Sequence, residues 1–280
     1  MELKRPARVA AIHDMSGFGR CSLTVVLPVL GAMGAECCPL PTAFLSAQTA
    51  FPKSDRAVFL DMTDQLARTG SHWQELGAQF DAIYSGFLGS ETQIGLIGEF
   101  IRAFRGERTL VVVDPVMGDW GKPYRTYTPD LCWRMGELAE HADVITPNLT
   151  EAAILLNEDY DPDPDEGKVR RWLELLSLEG KRSVVITGVR ARAGCVGAAC
   201  LNREDGTVSF PYANYERGEY AGTGDLFASV MLGALLRGED LHAATALAVD
   251  FVQKCAAFTG AMGGDKREGV MFERLLKDLM

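Results

Sequence analysis

Positive charge is scarce in this sequence. It contains 28 lysine and arginine residues against 38 aspartate and glutamate residues, and its formal net charge is −10 at pH 7. Because an acidic surface repels the phosphate backbone and anionic lipids, we expect neither nucleic acid nor a membrane surface as a partner. A small anionic ligand is compatible with this balance, since a local site can be positive on an acidic protein.

Long hydrophobic runs are also missing. A membrane-spanning helix needs about 18–20 apolar residues, whereas the longest uncharged stretch, Cys37–Pro52, contains three prolines. Near the N-terminus only the apolar run Val9–Ile12 follows the basic residues, which is too short for the core of a signal peptide. We therefore expect a protein without a membrane span, located in the cytoplasm.

Paired cysteines are lacking as well. The seven cysteines are irregularly spaced, with no Cys-x-x-Cys motif and no cysteine–histidine cluster. This pattern favours free thiols in a reducing compartment over disulfides or a zinc site. The adjacent Cys37 and Cys38 are predicted to lie in a strand, with one thiol on each face.

What the sequence does contain is an alternation of short β-rich runs and helical patterns. Each run ends at a polar or glycine-containing turn; the runs are Val9–Ile12, Cys37–Leu40, Ala82–Ser85, Leu110–Asp114, Val144–Thr146 and Ser183–Thr187. Such βαβ units predict an α/β fold with a mostly parallel central sheet and helices on both faces. No linker divides the chain, so we expect residues 1–280 to form a single domain.

Individual helices and one hairpin can also be predicted from the sequence. Helices are predicted at Ser22–Met33, with a kink at Pro28, and at Asp64–Phe80. Leu226–Leu236 is apolar on nearly all sides and is predicted to be deeply buried. Cys195–Leu201 and Thr207–Pro211, separated by a polar turn, are predicted to form a hairpin.

Ligands of open parallel sheets bind beyond the carboxyl ends of the strands, so the turns are the candidate sites. A Walker motif is absent, which excludes an ordinary P-loop. The first turn, Asp14-Met15-Ser16-Gly17-Phe18-Gly19, contains a Gly-x-Gly that would suit a dinucleotide, with Glu36 downstream to meet a ribose. Ser22 stands where the third glycine of that motif would be, so this signal for a nicotinamide enzyme is weak.

The strongest signal is Gly222-Thr223-Gly224-Asp225, immediately before the apolar helix. Glycines allow successive N–H groups to converge, and a helix N-terminus attracts anions, so the segment suits a phosphate group. A carboxylate beside a phosphate is unfavourable unless it accepts a proton. The alternative for this tetrapeptide is a plain glycine turn with a capped helix.

Two further turns carry oxygen ligands. Two carboxylates lie at a strand end in Asp114-Pro115-Val116-Met117-Gly118-Asp119, which suits a hydrated Mg²⁺. Two carboxylates in a solvated loop would give the same sequence pattern. In Thr146-Pro147-Asn148-Leu149-Thr150-Glu151, Asn148 and Glu151 would share a face of a starting helix; a capping box is the structural alternative. Ser85-Gly86-Phe87-Leu88-Gly89-Ser90 and Thr187-Gly188 end two more strands. Together the turns predict a joint phosphate and metal site.

In their order along the chain, these motifs resemble those of the ribokinase superfamily, and most closely its pyridoxal and pyridoxamine kinase branch. The similarity runs from Val9 to about Phe258. It implies a single-domain, three-layer α/β fold and ATP-dependent phosphorylation of the 5′-hydroxymethyl group of a pyridine. It also implies that Asp225 is the catalytic base, and that the charge of the transferring phosphoryl group is stabilised by Gly222, Thr223 and Gly224.

The resemblance implies further site residues. Mg²⁺ would be organised by Asp114, Asn148 and Glu151, and an alkali cation such as K⁺ by Thr146 and Thr187. Asp119 and Tyr127 resemble positions of the nucleotide-side lid, and the nucleotide site would include Asn148, Thr187 and Gly188. The pyridine side would include Asp14, Ser16, Ser46, Thr49 and Phe87. Kinases of this branch are often dimers, so a homodimer is expected.

Some positions depart from the branch. Many vitamin B6 kinases have serine in place of Asp14 and tyrosine in place of Phe87, and the first turn is more like that of hydroxymethylpyrimidine kinases. The glutamine that those kinases use falls near Ala47, beside Gln48. An acidic Asp14 would suit an amine or a ring nitrogen. The alternatives to a B6 kinase are thus a hydroxymethylpyrimidine kinase, a non-catalytic ligand sensor and a nicotinamide enzyme. Lys122 and Arg125 favour a solvated loop over a phosphate-closing one.

Overall fold

The structure is a computed structural model that describes residues 5–52, 54–124, 127–215, 218 and 220–280. Strands and helices alternate along these residues. In chain order they are β1 (Arg8–Ser16), α1 (Leu23–Ala32), β2 (Glu36–Leu45), β3 (Phe59–Asp61), α2 (Thr63–Glu75), β4 (Ala82–Ser85), α3 (Glu91–Phe104), β5 (Leu110–Val113), β6 (Gly118–Asp119), β7 (Lys122–Pro123), α4 (Pro129–Ala139), β8 (Val144–Ile145), α5 (Leu149–Leu156), α6 (Glu166–Leu176), β9 (Ser183–Val189), β10 (Cys195–Leu201), β11 (Val208–Ser209), β12 (Tyr212–Asn214), α7 (Thr223–Leu236) and α8 (Leu241–Ala261).

Ten strands of the described chain form one sheet. Its order is β11-β10-β9-β8-β5-β4-β1-β2-β3, with β12 also paired to β10, while β6 and β7 form a separate hairpin. The pairs from β9 to β2 are parallel, and the pairs at the two edges are antiparallel. The mostly parallel sheet and the hairpin formed by β10 and β11 are therefore confirmed. All parallel strands point their carboxyl ends toward one edge.

Helices cover both faces of this sheet, which confirms the three-layer arrangement. On one face α1, α7 and α8 bury residues such as Val25, Val230 and Phe251 against the sheet. On the other face α2 to α6 bury residues such as Phe100 and Trp172. Each fully buried large side chain contributes about 1.5–3 kcal/mol relative to an exposed one. The central strands are buried on both faces, which is why they are continuous hydrophobic runs in the sequence.

The cysteine predictions agree with the structure. All seven cysteines are unpaired. Cys37 and Cys38 lie in β2, where Cys37 packs against the cluster under α1 and α7 and Cys38 against the opposite cluster. Successive side chains of a strand point to opposite faces, so the two neighbouring thiols are held apart.

Two helices differ from their expected limits. Helix α1 begins at Leu23 and continues through Pro28. Helix α2 ends at Glu75 rather than at Phe80, because Leu76 is followed by Gly77 in a left-handed conformation (φ 66°), which stops a helix. Phe80 instead enters the core beside Trp73. No helix of the described chain is long and apolar enough to cross a membrane.

Candidate functional site

The turn Gly222–Asp225 lies where α7 begins. Gly222 is the residue before the helix and adopts a left-handed conformation (φ 72°). A Cβ at this position would lie 2.0 Å from the backbone oxygen of Arg20. Only glycine fits both the conformation and the close approach. The segment after β1 is therefore packed directly against the start of α7.

Asp225 occupies the first turn of α7. Its Oδ2 atom accepts a hydrogen bond of 2.8 Å from the backbone N–H of Ser22, and its side chain is 14% exposed. Burial raises the pKa of Asp225 to about 7; the Ser22 bond opposes this increase and the charge of Asp14 adds to it. A carboxylate whose pKa lies near neutrality can both accept and release a proton.

Asp114 follows β5 and approaches the glycine turn. A Cβ built on Gly224 would lie 3.8 Å from Asp114 Oδ2. Burial raises the pKa of Asp114 well above its ordinary value, and the charges of Glu151 and Asp225 raise it further, while the Thr146 hydroxyl opposes the increase. The structure therefore brings together the three carboxylates that the sequence placed on separate strand ends.

Glu151 is held by backbone donors at the start of α5. Its Oε1 accepts from Met117 N at 3.0 Å and its Oε2 from Asn148 N at 2.8 Å. Asn148 caps the helix in return by accepting from Thr150 N and Glu151 N, which completes a capping box. Burial raises the pKa of Glu151 to about 8 despite these donors. The capping box that was the alternative to a ligand site in this motif is therefore present, and it holds the Glu151 carboxylate in place.

The donor set at this edge fits a magnesium ion. Among the described residues no three His, Cys, Asp or Glu side chains are grouped tightly enough to hold a metal by themselves. Mg²⁺, however, usually keeps several waters and is bound through one or two carboxylates together with substrate phosphates. Asp114 and Glu151, with the Thr146 hydroxyl beside Asp114, offer oxygen ligands only, and they lie in one another's negative field. Asp114 and Glu151 are thus close enough for their charges to interact.

A pocket opens beside this capping box. Four of the predicted nucleotide-site residues line it, namely Asp119, Asn148, Thr187 and Gly188. Asp119 lies in the β6–β7 hairpin, whose turn residues Trp120 and Gly121 both have positive φ angles. Asn148 forms an isolated parallel bridge with Thr187. The pocket therefore connects the end of β9 with the start of α5.

Several residues that line this pocket were not predicted from the sequence, and three of them bear on its shape and charge. They are Trp120, Tyr160 and Arg190. The Arg190 guanidinium lies over the Trp120 ring, 5.0 Å from its centroid, and a Cβ on Gly121 would lie 2.5 Å from the Tyr160 ring. The signal available in the sequence was a tryptophan directly before a glycine, Trp120-Gly121, just after Asp119.

Tyr127 lies elsewhere. Its ring is buried in the core, its hydroxyl donates to the Leu88 oxygen at 2.8 Å, and it packs against Phe87 at 6.0 Å between centroids. A residue of a nucleotide-side lid would present its polar atom to the pocket, whereas the hydroxyl of Tyr127 is hydrogen-bonded inside the core. The position of Tyr127 therefore differs from the expected one. Lys122 is exposed, but it lies in strand β7, paired with Asp119, and not in a loop; Arg125 lies outside the described residues.

Asp14 and Ser16 end β1 close to Asp225. Asp14 is 6% exposed, and its two oxygens accept hydrogen bonds from the hydroxyls of Ser16 and Ser22. Burial raises the pKa of Asp14, and both hydroxyls lower it. Phe87 is half-buried after β4. These three predicted substrate residues lie at the same edge of the sheet, but the carboxylate of Asp14 is engaged within the protein.

The segment between β2 and β3 carries the remaining substrate predictions. Ser46 Oγ accepts from Val58 N at 2.9 Å, and Thr49 is exposed. The neighbouring Gln48 is buried, with its side-chain nitrogen bound to the Arg267 backbone oxygen and its side-chain oxygen bound to Ala50 N. The hydroxyl of Ser46 therefore stabilises the turn rather than standing free.

The dinucleotide interpretation of the first turn does not hold. Glu36 is the first residue of β2 and is paired with Arg8 at 2.9 Å. Since both residues begin parallel strands, they lie at the amino ends of those strands. Glu36 is thus at the opposite edge of the sheet from the turns and cannot contact a ribose bound there.

His13 was not singled out in the sequence, yet it lies beside Asp225. It is fully buried, and its Nδ1 atom is 3.9 Å from Asp225 Oδ1. Burial lowers the pKa of His13 to about 3, so the imidazole is neutral at ordinary pH. Its ring packs against Tyr84 and over Gly86, where a Cβ would lie 2.3 Å from Nδ1.

Comparison with known proteins shows to which family the chain belongs. Residues 71–269 match the model of the phosphomethylpyrimidine kinase family. The chain belongs to this family. Its fold superimposes on a Bacteroides thetaiotaomicron protein provisionally named a phosphomethylpyrimidine kinase, with a TM-score of 0.94 and 40% identity, covering 100% of this chain and 96% of that one. A second crystal form of that protein contains pyridoxal.

Relatives named pyridoxal kinases are also similar to this member of the family. The structure of pyridoxal kinase from Lactobacillus plantarum matches with a TM-score of 0.89 and 34% identity, covering 98% of this chain and 96% of that one. Pyridoxal kinase of Sus scrofa is 27% identical over 170 residues, which cover 55% of this chain and 52% of the pig protein. The chain thus spans about half the length of the curated relatives that it matches first.

Proposed function

We propose that the protein transfers the γ-phosphate of ATP to the 5′-hydroxymethyl group of pyridoxal, pyridoxamine or pyridoxine. The observation that carries the proposal is the largely buried Asp225 carboxylate at the N-terminus of α7, close enough to Asp114 for its charge, like that of Glu151, to raise the pKa of Asp114. The similarity to proteins that are named pyridoxal kinases, or that contain pyridoxal, supports the choice of alcohol.

Asp225 acts in this proposal as the general base. An alcohol is a poor nucleophile while it carries its proton, and the carboxylate removes the proton as the attack develops. Burial raises the pKa of Asp225 to about 7, so the carboxylate is a stronger base than an exposed aspartate would be. Because Oδ2 accepts from Ser22 N, Oδ1 is the oxygen available to the alcohol.

The glycine turn stabilises charge on the transferring phosphoryl group. The N–H groups of Gly222, Thr223 and Gly224 begin α7, where the helix adds roughly half a positive charge. Asp114, Asn148 and Glu151 would hold Mg²⁺, partly through its waters. When bound, that ion neutralises charge on the phosphates of the nucleotide. The fixed N–H dipoles of the glycine turn favour the transition state over the ground state.

The pocket lined by Asp119, Asn148, Thr187 and Gly188 is the proposed nucleotide site. It adjoins the capping box of α5, which holds the Glu151 carboxylate. Arg190 adds a positive charge to the wall of this pocket, where phosphates would be attracted. A potassium ion beside Thr146 and Thr187 stays a prediction, to be tested by replacing K⁺ with Na⁺ in the assay.

The pyridine side is assigned to Asp14, Ser16 and Phe87, with Ser46 and Thr49 on the neighbouring segment. Tyr127 enters only as the ring that supports Phe87. A coupled assay of ADP formation over pyridoxal, pyridoxamine, pyridoxine and hydroxymethylpyrimidine tests the proposal. We expect a kcat/KM at least tenfold higher for one of the three pyridines than for the pyrimidine. ADP formation with none of the four alcohols would refute it, and binding without ADP formation would indicate a sensor.

A hydroxymethylpyrimidine kinase is the second candidate. The name of the matching family favours it, and so does the first turn of the chain. The engagement of Gln48 argues against it, because the side-chain amide is already bound to Arg267 and Ala50 and is not free to read a pyrimidine. Preference for hydroxymethylpyrimidine in the same assay would reverse this assignment.

The chain as a whole is proposed to form one domain, located in the cytoplasm and assembled as a homodimer. Seven unpaired cysteines suit a reducing compartment. The edge strand β3 leaves Phe59 and Leu60 more than half exposed, with Val58 before it, and such an edge pairs readily with a second copy across a twofold axis. Light scattering after size exclusion tests this. The parent protein should have twice the mass of one chain, and the Leu60→Glu variant should have the mass of a single chain.

A further inference from the structure

Ser22 is an unusual residue at the start of α1. It occupies the position before the helix, where a serine hydroxyl ordinarily accepts a bond from the helix backbone. Here the side chain makes no such cap. The Ser22 hydroxyl donates instead to Oδ1 of the buried Asp14. The side chain thus gives up its usual role for a contact at the candidate site.

The backbone of Ser22 is strained in the same region. Its φ angle is 49° and its ψ angle is −134°, a positive-φ conformation that residues other than glycine rarely adopt. Strained residues persist only where their surroundings hold them in place, and they are concentrated at functional sites. In this conformation the Ser22 N–H points at Asp225 and donates to Oδ2 at 2.8 Å.

Ser22 therefore connects the buried Asp14 with the partly exposed Asp225 through two different donors. Its N–H binds Asp225 and its O–H binds Asp14. A second hydroxyl, that of Ser16, donates to the other oxygen of Asp14 at 2.9 Å. Asp14 is consequently fixed from both sides, and the position of Ser22 relative to Asp225 is fixed through it.

We propose that Ser22 is a positioning residue for Asp225, held in its positive-φ conformation by the hydroxyl bond to Asp14. The inference rests on the proposed function, since it takes Asp225 as the base. The Ser22 N–H occupies Oδ2 and orients the carboxylate so that Oδ1 meets the alcohol. Asp14 then acts through Ser22 on the base, in addition to any contact with the substrate.

Two substitutions separate the hydroxyl from the backbone. Ser22→Ala removes the bond to Asp14 and leaves a side chain that disfavours the positive φ angle. We expect kcat to fall about tenfold, the scale of one hydrogen bond to a charged group, with KM for ATP and alcohol within about twofold of the parent. Ser22→Gly also lacks the hydroxyl but permits the conformation, so a smaller fall of about threefold is expected.

Three kinetic results would overturn the inference. Unchanged kcat in S22A would show that the contact is only structural. A higher KM with unchanged kcat would place Ser22 in ground-state binding. Parent-like turnover in S22G, with low turnover in S22A, would show that the backbone conformation suffices and that Asp14 does not hold it.

Asp240→Ala is the matched control. Asp240 precedes α8 and does cap its helix, accepting from Ala243 N at 2.9 Å. Its replacement should lower the melting temperature without changing kcat, whereas S22A should lower kcat even at temperatures where it is fully folded. A fall of kcat in D240A equal to that in S22A would mean that loss of stability explains both.

A crystal structure of S22A tests the inference without any measurement of enzyme activity. The expected result is a negative φ angle at position 22 and an Asp225 carboxylate that no longer accepts from that N–H. Retention of both features would refute the inference. Absence of ADP formation by the parent protein with every alcohol would refute the proposed function alone.

Discussion

Replacing Asp225 with asparagine removes the proposed base and keeps the shape of the side chain. The amide oxygen can still accept from Ser22 N, the bond that Asp225 now makes at 2.8 Å. The fold and nucleotide binding should therefore be retained. A general base contributes about 10²–10⁴ to a rate, so we expect kcat with ATP and pyridoxal to fall by that factor, with KM for ATP little changed.

The same substitution has an opposite effect on stability. Burial raises the pKa of Asp225 from 3.8 to about 7 in the folded protein, so folding favours the protonated form. The parent protein is therefore most stable below about pH 4 as far as this group is concerned, and it loses stability as the pH rises through 7. The shift corresponds to at most about 4 kcal/mol. The amide of the D225N variant cannot ionise, so that variant escapes this loss.

The assay combines turnover with urea unfolding at several pH values, in the absence of nucleotide and Mg²⁺. D225N should be more stable than the parent at pH 8, and the difference should shrink toward pH 4. Near-parent turnover would remove Asp225 from the role of base. Equal stability of the two proteins at pH 8 would show that the carboxylate is well solvated, contrary to its surroundings in the structure.

Three other substitutions test the same edge of the sheet. Glu151→Gln should raise the Mg²⁺ concentration for half-maximal turnover about tenfold, and an unchanged Mg²⁺ response would contradict the metal assignment. Gly222→Ala should lower both stability and turnover, since its Cβ would lie 2.0 Å from the Arg20 oxygen; strain of about 1–3 kcal/mol is expected in thermal unfolding. Gly86→Ala should displace His13, whose Nδ1 lies 2.3 Å from the position of the new Cβ, and a melting temperature equal to the parent's would contradict that packing.

Much of the fold was accessible from the sequence because burial on both faces leaves a local trace. The runs Ala82–Ser85 and Leu110–Asp114 correspond to β4 and β5 almost residue for residue. Limits set by turn geometry were harder to see. The end of α2 depends on the left-handed Gly77, and the helical periodicity of the sequence continued past it.

The candidate site was predictable in its parts. Strands that all end at one edge bring their turns together, so the grouping of Asp114, Glu151 and Asp225 follows from the topology. The sequence could not tell which of the nearby polar atoms would be used inside the protein. The carboxylate of Asp14 and the hydroxyl of Tyr127 both proved to be engaged in this way.

The sequence alone therefore determined the layer architecture and the chemistry available at the strand ends, because hydrophobic periodicity and turn composition are local properties of the chain. Only the tertiary structure decided that Ser22 and His13 would face Asp225, and that Arg190 would lie over Trp120. Those pairs join residues far apart in the chain. Their approach is set by how helices pack on the sheet, and no short stretch of sequence records it.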